Sequence, residues 1–292
     1  MALLPFDDRD GFIWLDGKLV PWREAKLHVL SHGLHYGSCV FEGERAYGGE
    51  IFKCTEHSQR FKRSAELLDF EIPYSVAEFD AAKRAVVKAN GKPDCYLRPV
   101  AWRGSEMMAV AAQSSTIHVA ICSWEWPSMF DQAARMKGIR LDIAEFRRPD
   151  PQTAPSHSKA AGLYMICTIS KHKAERKGYA DALMLDWQGR VAECTGANVF
   201  FTRDGALHTP IADCFLDGIT RRTLIDLARK RGIEVQERRI MPTELASFNE
   251  CFICGSGAEV TPVAEIGPHR YTPGNISRTM IEDYAAAVRP QG

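Results

Sequence analysis

The sequence predicts a two-domain protein of mixed α+β and α/β class. Its 292 residues exceed one ordinary domain of about 150 residues. A hydrophobic content of 45% and a charged content of 25% are typical of a globular chain that buries a core without disulfides. Hairpin signals crowd the first half, whereas strands alternate with helices in the second. We therefore expect a smaller N-terminal α+β domain at 1–125, a connection at 126–138 and a larger C-terminal domain at 139–292.

Charge and hydropathy limit the classes of partner. Basic and acidic side chains number 37 each, whereas nucleic-acid-binding proteins usually carry a net basic surface. The N-terminus lacks the basic region and cleavage site of a secretory signal, and no apolar run is long enough to span a membrane. Nine cysteines, an odd number, fit reduced core residues. We expect a cytoplasmic protein with neither a nucleic-acid nor a membrane partner.

Turn dipeptides and a helix cap organise the N-terminal half. Asp16-Gly17 and Gly48-Gly49 are typical of hairpin turns between β-rich runs. Ser75 and Glu78 form a capping box that opens a helix. The expected elements are strands at 12–15, 18–20, 39–41 and 51–53, helices at 56–69 and 75–91, and strands at 95–102 and 116–124.

The C-terminal half begins at Ile139, after Pro127 breaks the preceding pattern. Asp204-Gly205 predicts a turn, and Glu193 is expected between two strands. The expected elements are a helix at 160–177, strands at 182–186 and 198–202, a helix at 220–231, strands at 233–238, 250–254 and 260–266, and a helix at 276–288.

Three histidines near Cys39 could suggest a metal site. His28 and His32 are four residues apart and His35 follows, but carboxylates at ligand spacing are missing and the segment is expected to be loop or strand. We interpret them as ordinary histidines and expect no metal. Cys251-Phe-Ile-Cys254 has no second cysteine or histidine pair, and Gly255-Ser-Gly257 lacks the third glycine of a dinucleotide loop.

The segment around Lys159 is the most informative for chemistry. Lys159 stands among small residues just before an expected helix, which leaves room for a planar group. Lysine forms Schiff bases once its amine is desolvated or lies near another cation. Glu193 is an acidic residue among small groups, and a buried carboxylate needs a cationic partner such as a pyridinium nitrogen. These two residues indicate a pyridine cofactor.

Anion-binding signals accompany them. The segment from Gly218 to Thr220 opens a helix with free backbone amides, which bind phosphate. Ser256 could belong to a second phosphate cradle, and the guanidinium of Arg60 could grip phosphate in bidentate fashion.

Several blocks in order resemble the fold-type IV pyridoxal-phosphate enzymes and, within them, the branched-chain amino-acid aminotransferases. The blocks are His32-Gly-Leu-His-Tyr36, Val40-Phe-Glu-Gly-Glu-Arg45, Tyr96-Leu-Arg98-Pro99, Lys159, Glu193 with Gly196 and Asn198, Gly218-Ile-Thr-Arg221 and Glu259-Val-Thr-Pro262. The resemblance covers nearly the whole chain. It implies a D-amino-acid-aminotransferase-like fold, with a C-terminal pseudo-barrel domain that binds pyridoxal 5'-phosphate, and a homodimer or higher homo-oligomer.

The resemblance also implies a role for each matching residue. Lys159 would form the aldimine with the cofactor and shuttle the substrate proton. The other cofactor-binding residues would be Arg60, Tyr164, Glu193, Leu216, Ile219, Thr220 and Ser256. The substrate-binding residues would be Tyr36, Phe41, Gly43, Arg45, Tyr96, Arg98, Val110 and Gly257, with Tyr36 and Val110 supplied by the neighbouring subunit.

The implied reaction is ping-pong transamination of L-leucine, L-isoleucine and L-valine with 2-oxoglutarate and L-glutamate. D-amino-acid transaminases, amine transaminases and aminodeoxychorismate lyase share the fold and stay open as alternatives, as does a non-catalytic cofactor carrier. Ser256, Gly257 and Met129 depart from the family's usual threonine, alanine and aromatic residue. The preferred branched-chain substrate and the metabolic direction therefore stay open.

Overall fold

The computed structural model describes residues 5–126 and 135–289. The chain divides into two compact units. The first unit comprises Met1–Pro127 with Ser158–Gly162, and the second comprises Ser128–His157 with Leu163–Gly292. The short segment around Lys159 thus groups with the N-terminal part of the chain, which the expected boundaries at 125 and 139 did not anticipate. Pro127 and Met129 lie outside the described residues.

The first unit contains an antiparallel sheet. Among the described residues its strands are β1 (Phe12–Leu15), β2 (Lys18–Pro21), β3 (Cys39–Phe41), β4 (Glu44–Tyr47), β5 (Glu50–Ile51), β6 (Cys95–Arg103) and β7 (Ile117–Glu125). The strand order is β2-β1-β7-β6-β4-β5, and β3 pairs with β6. Asp16 and Gly17 have φ values of 46° and 94°, as a tight hairpin turn requires, so the first predicted hairpin is confirmed.

Three helices accompany this sheet: α1 (His32–Tyr36), α2 (Cys54–Glu66) and α3 (Val76–Asn90). The predicted capping box of α3 is confirmed, because Ser75 Oγ accepts from the Glu78 amide and the Glu78 side chain accepts from the Ser75 amide. Helix α2 ends earlier than the expected 69 because the chain adopts a positive φ of 58° at Asp69. Helix α1 was expected as loop or strand, and that prediction was wrong.

The second unit contains a mixed sheet. Its described strands are β8 (Ile139–Ile143), β9 (Asp181–Leu185), β10 (Val191–Cys194), β11 (Asn198–Arg203), β12 (Ala206–Pro210), β13 (Val235–Arg238), β14 (Glu250–Gly255), β15 (Glu259–Ile266) and β16 (His269–Arg270). The order is β10-β9-β8-β15-β14-β11-β12-β13, with β16 on β15. Strand β10 also lies against β11 and β12, so the sheet curls into a half-barrel.

Among the described residues, the longer helices of the second unit are α4 (Met165–Arg176), α5 (Ile219–Lys230) and α6 (Asn275–Val288). The helix expected from 160 begins instead as a 3-10 turn at Ala161–Tyr164, and the α-helix starts at Met165. Strands β10 and β12 were not predicted. Glu193 was expected between two strands, but it lies within β10. No helix in the described ranges has the length and apolar character needed to cross a membrane.

Candidate active site

The backbone around Lys159 is fixed on two sides within the first unit. The Lys159 amide donates to Ser64 Oγ on α2 over 3.0 Å, and its carbonyl accepts from the Phe41 amide on β3 over 3.1 Å. Ser158 Oγ donates to the Ser64 carbonyl over 2.8 Å. The Lys159 side chain is half-buried, and its Nζ lies 4.9 Å from the centre of the Phe41 ring. Hydrogen bonds to α2 and β3 therefore hold the backbone from which the Lys159 side chain extends.

A guanidinium and two aromatic rings form a cluster beside this position. Tyr96 and Arg98 lie two residues apart on β6 and therefore share one face of the sheet. Arg98 Nη2 donates to Tyr96 Oη over 3.1 Å, and the guanidinium lies 4.7 Å from the centre of the Phe41 ring. Arg98 Nε is buried and has no hydrogen-bond partner among the described residues. Three of the expected substrate-binding residues are thus in contact.

Gly43 and Arg45 adjoin this cluster in different ways. A Cβ atom on Gly43 would come within 2.1 Å of Tyr96 Oη, so only glycine allows the tyrosine to occupy this position. Arg45 lies directly opposite Tyr96 in the pairing of β4 with β6. Its Nη2 donates to the Trp126 carbonyl over 3.0 Å, and its guanidinium lies 5.0 Å from the centre of the Tyr47 ring. The expected orientation of Tyr96 by Arg45 stays a prediction.

Arg60, expected at a phosphate, makes a bidentate ion pair. Its Nε and Nη2 donate to the two carboxylate oxygens of buried Glu42 over 2.7 and 2.8 Å, and Glu42 Oε2 also lies 2.7 Å from His57 Nδ1. Burial alone would raise the pKa of Glu42, but Arg60 and His57 hold that pKa well below its ordinary value. Sequence reasoning missed Glu42 as the residue that orients Arg60, although it belongs to the motif containing Phe41 and Gly43.

A second buried ion pair lies beside the first. Lys83 on α3 donates to Glu44 Oε2 over 2.9 Å and to the Cys54 carbonyl over 2.8 Å, and neither Lys83 nor Glu44 is exposed. Burial raises the pKa of Glu44 in spite of the neighbouring Lys83 and His57 charges. The Lys83–Glu44 pair joins β4 to α3, and the Arg60–Glu42 pair joins the segment between β3 and β4 to α2.

Tyr36 and Val110, expected to reach a neighbouring subunit, are exposed to 51% and 86%. His32 connects the two segments that carry them. Its ring stacks on that of Tyr36 at 4.6 Å between centroids, and its Nε2 lies 2.8 Å from the Ala109 carbonyl. Sequence reasoning considered His32 as a metal ligand or an ordinary histidine and did not identify this contact.

Glu193 occupies a buried position in the second unit. Its Oε1 lies 3.3 Å from Arg148 Nε, without the alignment of a hydrogen bond, and its Oε2 accepts from Asn198 Nδ2 over 3.2 Å. Burial by itself would lower the pKa of Arg148, but the Glu193 carboxylate keeps it raised, so the guanidinium stays charged. Arg148 is thus a cation beside Glu193. No local sequence signal indicated Arg148, because its burial depends on strands distant in sequence.

Asn198 links Glu193 to the start of α5. Its Nδ2 also donates to the Leu216 carbonyl over 3.1 Å. A Cβ atom on Gly218 would come within 2.1 Å of Asn198 Oδ1, so glycine is required there. Asn198 is close to Glu193 in the same sequence motif. This proximity could have indicated a role for Asn198, but none was predicted.

The first turn of α5 presents backbone amides. Gly218 is the N-cap residue, and no side chain in the described part of the chain caps this turn. Ile219 and Thr220 are buried, and the next residue, Arg221, anchors the turn by donating to Asp217 Oδ1 over 2.8 Å and to the Pro210 carbonyl over 3.0 Å. An uncapped helix N-terminus favours anions because its amides and its dipole point outward.

The remaining residues of the predicted set lie at the ends of elements. Ser256 and Gly257 follow β14 directly, and Asn198 pairs with Cys254 at the same end of that strand. Tyr164 ends the 3-10 turn before α4 and interacts electrostatically with Arg148. Ser256 and Gly257 are half-buried, as is Tyr164.

We assign no further site to two other features of the described residues. Cys251 and Cys254 are three positions apart along β14, so their side chains point to opposite faces of the sheet and cannot bond each other. A cavity of about 500 Å³ in the first unit is walled mainly by apolar groups, including Leu27, Leu34 and Trp102. Its described walls do not include Lys159 or Arg98.

The sequence matches a known family over most of its length. Residues 39–266 match the model described as amino-transferase class IV. The chain is 40% identical over 294 residues to a probable branched-chain-amino-acid aminotransferase of Rickettsia conorii, covering 99% of this chain and 100% of that protein. It is also 40% identical over 263 residues to the branched-chain-amino-acid aminotransferase of Pseudomonas aeruginosa, covering 89% of this chain and 86% of that protein.

Solved structures have the same architecture. A branched-chain amino acid aminotransferase solved with pyridoxamine 5'-phosphate gives a TM-score of 0.93 at 38% identity, covering 96% of this chain and 94% of that one. The branched-chain aminotransferase of the archaeon Thermoproteus uzoniensis, solved with norvaline, gives 0.90 at 35% identity, covering 95% and 94%. The Escherichia coli branched-chain amino acid aminotransferase gives 0.90 at 33% identity, also covering 95% and 94%.

Proposed function

This chain belongs to the class IV aminotransferase family, and on that premise we propose that it transfers the amino group of L-leucine, L-isoleucine or L-valine to 2-oxoglutarate. The predicted fold-type IV architecture and the predicted enzyme class are confirmed. The family implies pyridoxal 5'-phosphate as the cofactor. The individual residue roles below are part of the proposal.

The observation that carries the substrate proposal is the position of Arg98 against the Phe41 ring. An enzyme that accepts both leucine and glutamate needs an apolar wall with a cation within reach. Phe41 supplies the wall, and the guanidinium 4.7 Å from its ring centre supplies the cation. Arg98 Nε is buried and has no partner within residues 5–126 and 135–289, which supports a carboxylate ligand because buried donors in proteins are normally satisfied. We assign the γ-carboxylate of glutamate to Arg98.

The residues of the second unit fit a phosphorylated pyridine. Glu193 is a buried carboxylate that can accept from a protonated ring nitrogen, and the Arg148 guanidinium lies beside it. The uncapped first turn of α5, with the amides of Ile219 and Thr220, can accept a phosphate dianion. Arg60 and the Ser256 hydroxyl would also bind the phosphate, Tyr164 would bond the phenolic oxygen, and Leu216 would pack on the ring.

Lys159 carries the proton transfer. When bound, pyridoxal phosphate supplies an electron sink that makes the substrate α-hydrogen acidic. Lys159 Nζ takes this proton from the substrate α-carbon as a base and delivers it again as an acid. The rigid backbone at Ser158 and Lys159 limits the positions that the amine can reach, which favours one face of the substrate.

The α-carboxylate of the substrate would be bound by groups other than Arg98. Tyr96 Oη and the amides of Ser256 and Gly257 would hold it, while the side chain lies against Phe41 beside Gly43. Arg45 would support Tyr96 from the opposite strand. The two half-reactions use the same groups in turn, so the kinetics should be ping-pong.

The assembly and location belong to the same proposal. Tyr36 and Val110 are exposed apolar residues that would close the side-chain pocket of a second copy of this chain, so we propose a homodimer or a higher homo-oligomer. A cytoplasmic location agrees with the small-molecule substrates and the reduced state of the cysteines.

The visible absorbance of the purified protein tests the proposal. An absorbance band of the lysine-bound cofactor should be present, and it should collapse on addition of L-leucine or L-glutamate but not of D-alanine. A response to D-alanine alone would favour a D-amino-acid transaminase, and release of pyruvate without a keto-acid acceptor would favour a lyase. A protein that binds the cofactor but responds to none of these compounds would contradict the proposed reaction.

A further inference from the structure

We propose that His32 is a positioning residue that holds Tyr36 and the loop carrying Val110 in one arrangement, and so sets the preference for apolar side chains in the pocket of the neighbouring subunit. This inference rests on the proposed function, in which Tyr36 and Val110 close that pocket. His32 itself touches neither substrate nor cofactor.

The first contact of His32 follows from helix geometry. His32 and Tyr36 are four residues apart on α1, so their side chains lie one above the other on the same helix face. Their rings stack at 4.6 Å between centroids with 19° between the planes. Gly37, with a φ of 70°, ends the helix immediately after Tyr36 and turns the chain toward Ser38.

The second contact reaches a distant loop. His32 Nε2 lies 2.8 Å from the carbonyl of Ala109, the residue before Val110. A carbonyl can only accept, so Nε2 donates to it, and Nδ1 forms a hydrogen bond with the Ser38 hydroxyl. Both ring nitrogens are therefore satisfied, and the plane of the ring is fixed by hydrogen bonds at both edges.

His32 is much less exposed than the two residues whose positions it sets. Its exposure is only 4%, whereas Tyr36 and Val110 are exposed to 51% and 86%. An exposed side chain on a loop keeps a defined position only if its backbone is held nearby, because side-chain and backbone entropy oppose a single arrangement. On the other side of Val110, the Ala112 carbonyl accepts from Arg103 over 3.2 Å. Val110 thus lies between two carbonyls that accept hydrogen bonds, those of Ala109 and Ala112, and His32 binds the first of them.

The base of α1 is also anchored. The His32 amide donates to the Gly104 carbonyl at the end of β6 over 2.8 Å. A Cβ atom on Gly33 would come within 2.8 Å of the Trp102 Cβ, so this glycine lets α1 lie close to the strand. The ring of His32 therefore connects a helix fixed on the sheet to a loop that would otherwise be held less tightly.

The test compares three variants at position 32 with a control on the same helix. His32→Phe keeps a ring for stacking but removes both hydrogen bonds, His32→Gln keeps one donor, and His32→Ala removes every contact. His35→Gln is the control, because His35 is an exposed histidine of α1 whose ring bonds the Val29 carbonyl. Each protein is assayed as the cofactor-loaded enzyme.

We expect KM for L-leucine to rise about tenfold in His32→Phe, as the loss of one or two neutral hydrogen bonds would allow, with kcat changed by less than about twofold. KM for L-glutamate should change by less than about twofold, because Arg98 of the same chain as Lys159 holds its carboxylate. His32→Gln should retain part of the leucine affinity. Hydrogen exchange of the amides at 105–111 should become faster in His32→Phe, while β6 and β7 stay protected.

Mixed dimers test whether His32 acts on the neighbouring subunit. A dimer of one His32→Phe chain and one Lys159→Ala chain has a single site with lysine, and the intact His32 of the other chain would close it. The KM of this dimer for L-leucine should return to the wild-type value. A KM that stays raised would mean that His32 acts within its own chain and would overturn the proposal.

Other outcomes also decide the matter. Wild-type exchange and wild-type KM in His32→Phe would overturn the positioning role, and an equal rise in KM for both substrates would overturn the role in specificity. A wild-type protein that does not transaminate L-leucine would instead reject the proposed function together with the specificity role. In that case, exchange at 105–111 would still accept or reject the holding of the loop by His32.

Discussion

The two units of this protein contribute to the proposed chemistry by different means. In the first unit, side chains carry the specificity: Arg98 packs on Phe41 and bonds Tyr96, and the charge of Glu42 orients Arg60. In the second unit, the first turn of α5 also offers backbone amides, and Gly218 leaves room there for the Asn198 side chain. We therefore expect the Glu42 ion pair of the first unit to be sensitive to a change of charge, and the start of α5 in the second unit to be sensitive to the addition of an atom.

Removal of the Lys159 amine should have the largest effect on turnover. Lys159→Ala deletes both the group that bonds the cofactor and the proton carrier, so we expect kcat to fall by about 10⁴-fold. Lys18→Ala, an exposed lysine on β2, is the control and should keep wild-type turnover. Single-turnover kinetics with L-leucine provide the measurement, and near-normal rates in Lys159→Ala would contradict the assignment.

The next largest effect is expected for Glu42→Gln, which removes a charge but keeps the shape of the side chain. Glu42→Gln leaves Arg60 and His57 beside a neutral amide, and breaking a buried ion pair should lower the free energy of unfolding by about 3 kcal/mol. Because the pKa of Glu42 is depressed in the folded protein, its contribution is present above the ordinary value of 4.5 and is lost as pH falls through the folded pKa. The difference between wild type and variant should therefore shrink on acidification.

Urea denaturation of the cofactor-loaded protein between neutral and acid pH measures this difference. Glu56→Gln is the matched control, because Glu56 pairs with Lys53 on the surface and should change stability by less than about 0.5 kcal/mol. A Glu42→Gln protein as stable as wild type at neutral pH would remove the contrast between the two units.

An added methyl group tests the backbone part of the comparison in the second unit. Gly218→Ala puts a Cβ atom within 2.1 Å of Asn198 Oδ1, and relief of that overlap should displace the start of α5. A strain of about 2 kcal/mol corresponds to roughly a 30-fold loss of affinity for pyridoxal phosphate. Gly196→Ala is the control, because its Cβ would meet no atom within 4 Å. Titration of the stripped proteins with cofactor should separate the two, and equal affinities would reject the requirement for glycine.

The smallest expected effect distinguishes the two substrates. Arg98→Ala removes the charged donor to the glutamate side chain, so KM for L-glutamate should rise about tenfold, while KM for L-leucine changes by about twofold or less. The exposed arginine at position 84 on α3 offers a control, Arg84→Ala. Half-reaction titrations followed by absorbance give both values, and parallel losses for the two amino acids would reject the role of Arg98.

Predictions were correct where the interacting residues are close together in the sequence. The capping box at Ser75 and the Asp16-Gly17 turn involve residues a few positions apart, and both are confirmed. Helix α1 was missed because its five residues are too few for a helical period to appear. Strand β10 was missed because its four residues show no alternation, being buried throughout. Burial on both faces of a strand removes the pattern on which the prediction depends.

The sequence by itself determined the family, the fold class and the identities of the residues proposed for the chemistry, because these depend on residue types in a fixed order. Only the tertiary structure decided how those residues are held. The contacts of Arg148 with Glu193, of Arg60 with Glu42 and of His32 with Ala109 join segments that are separated in the sequence. Such contacts leave no periodic trace, because packing of strands and helices creates them and not the local preference of any residue.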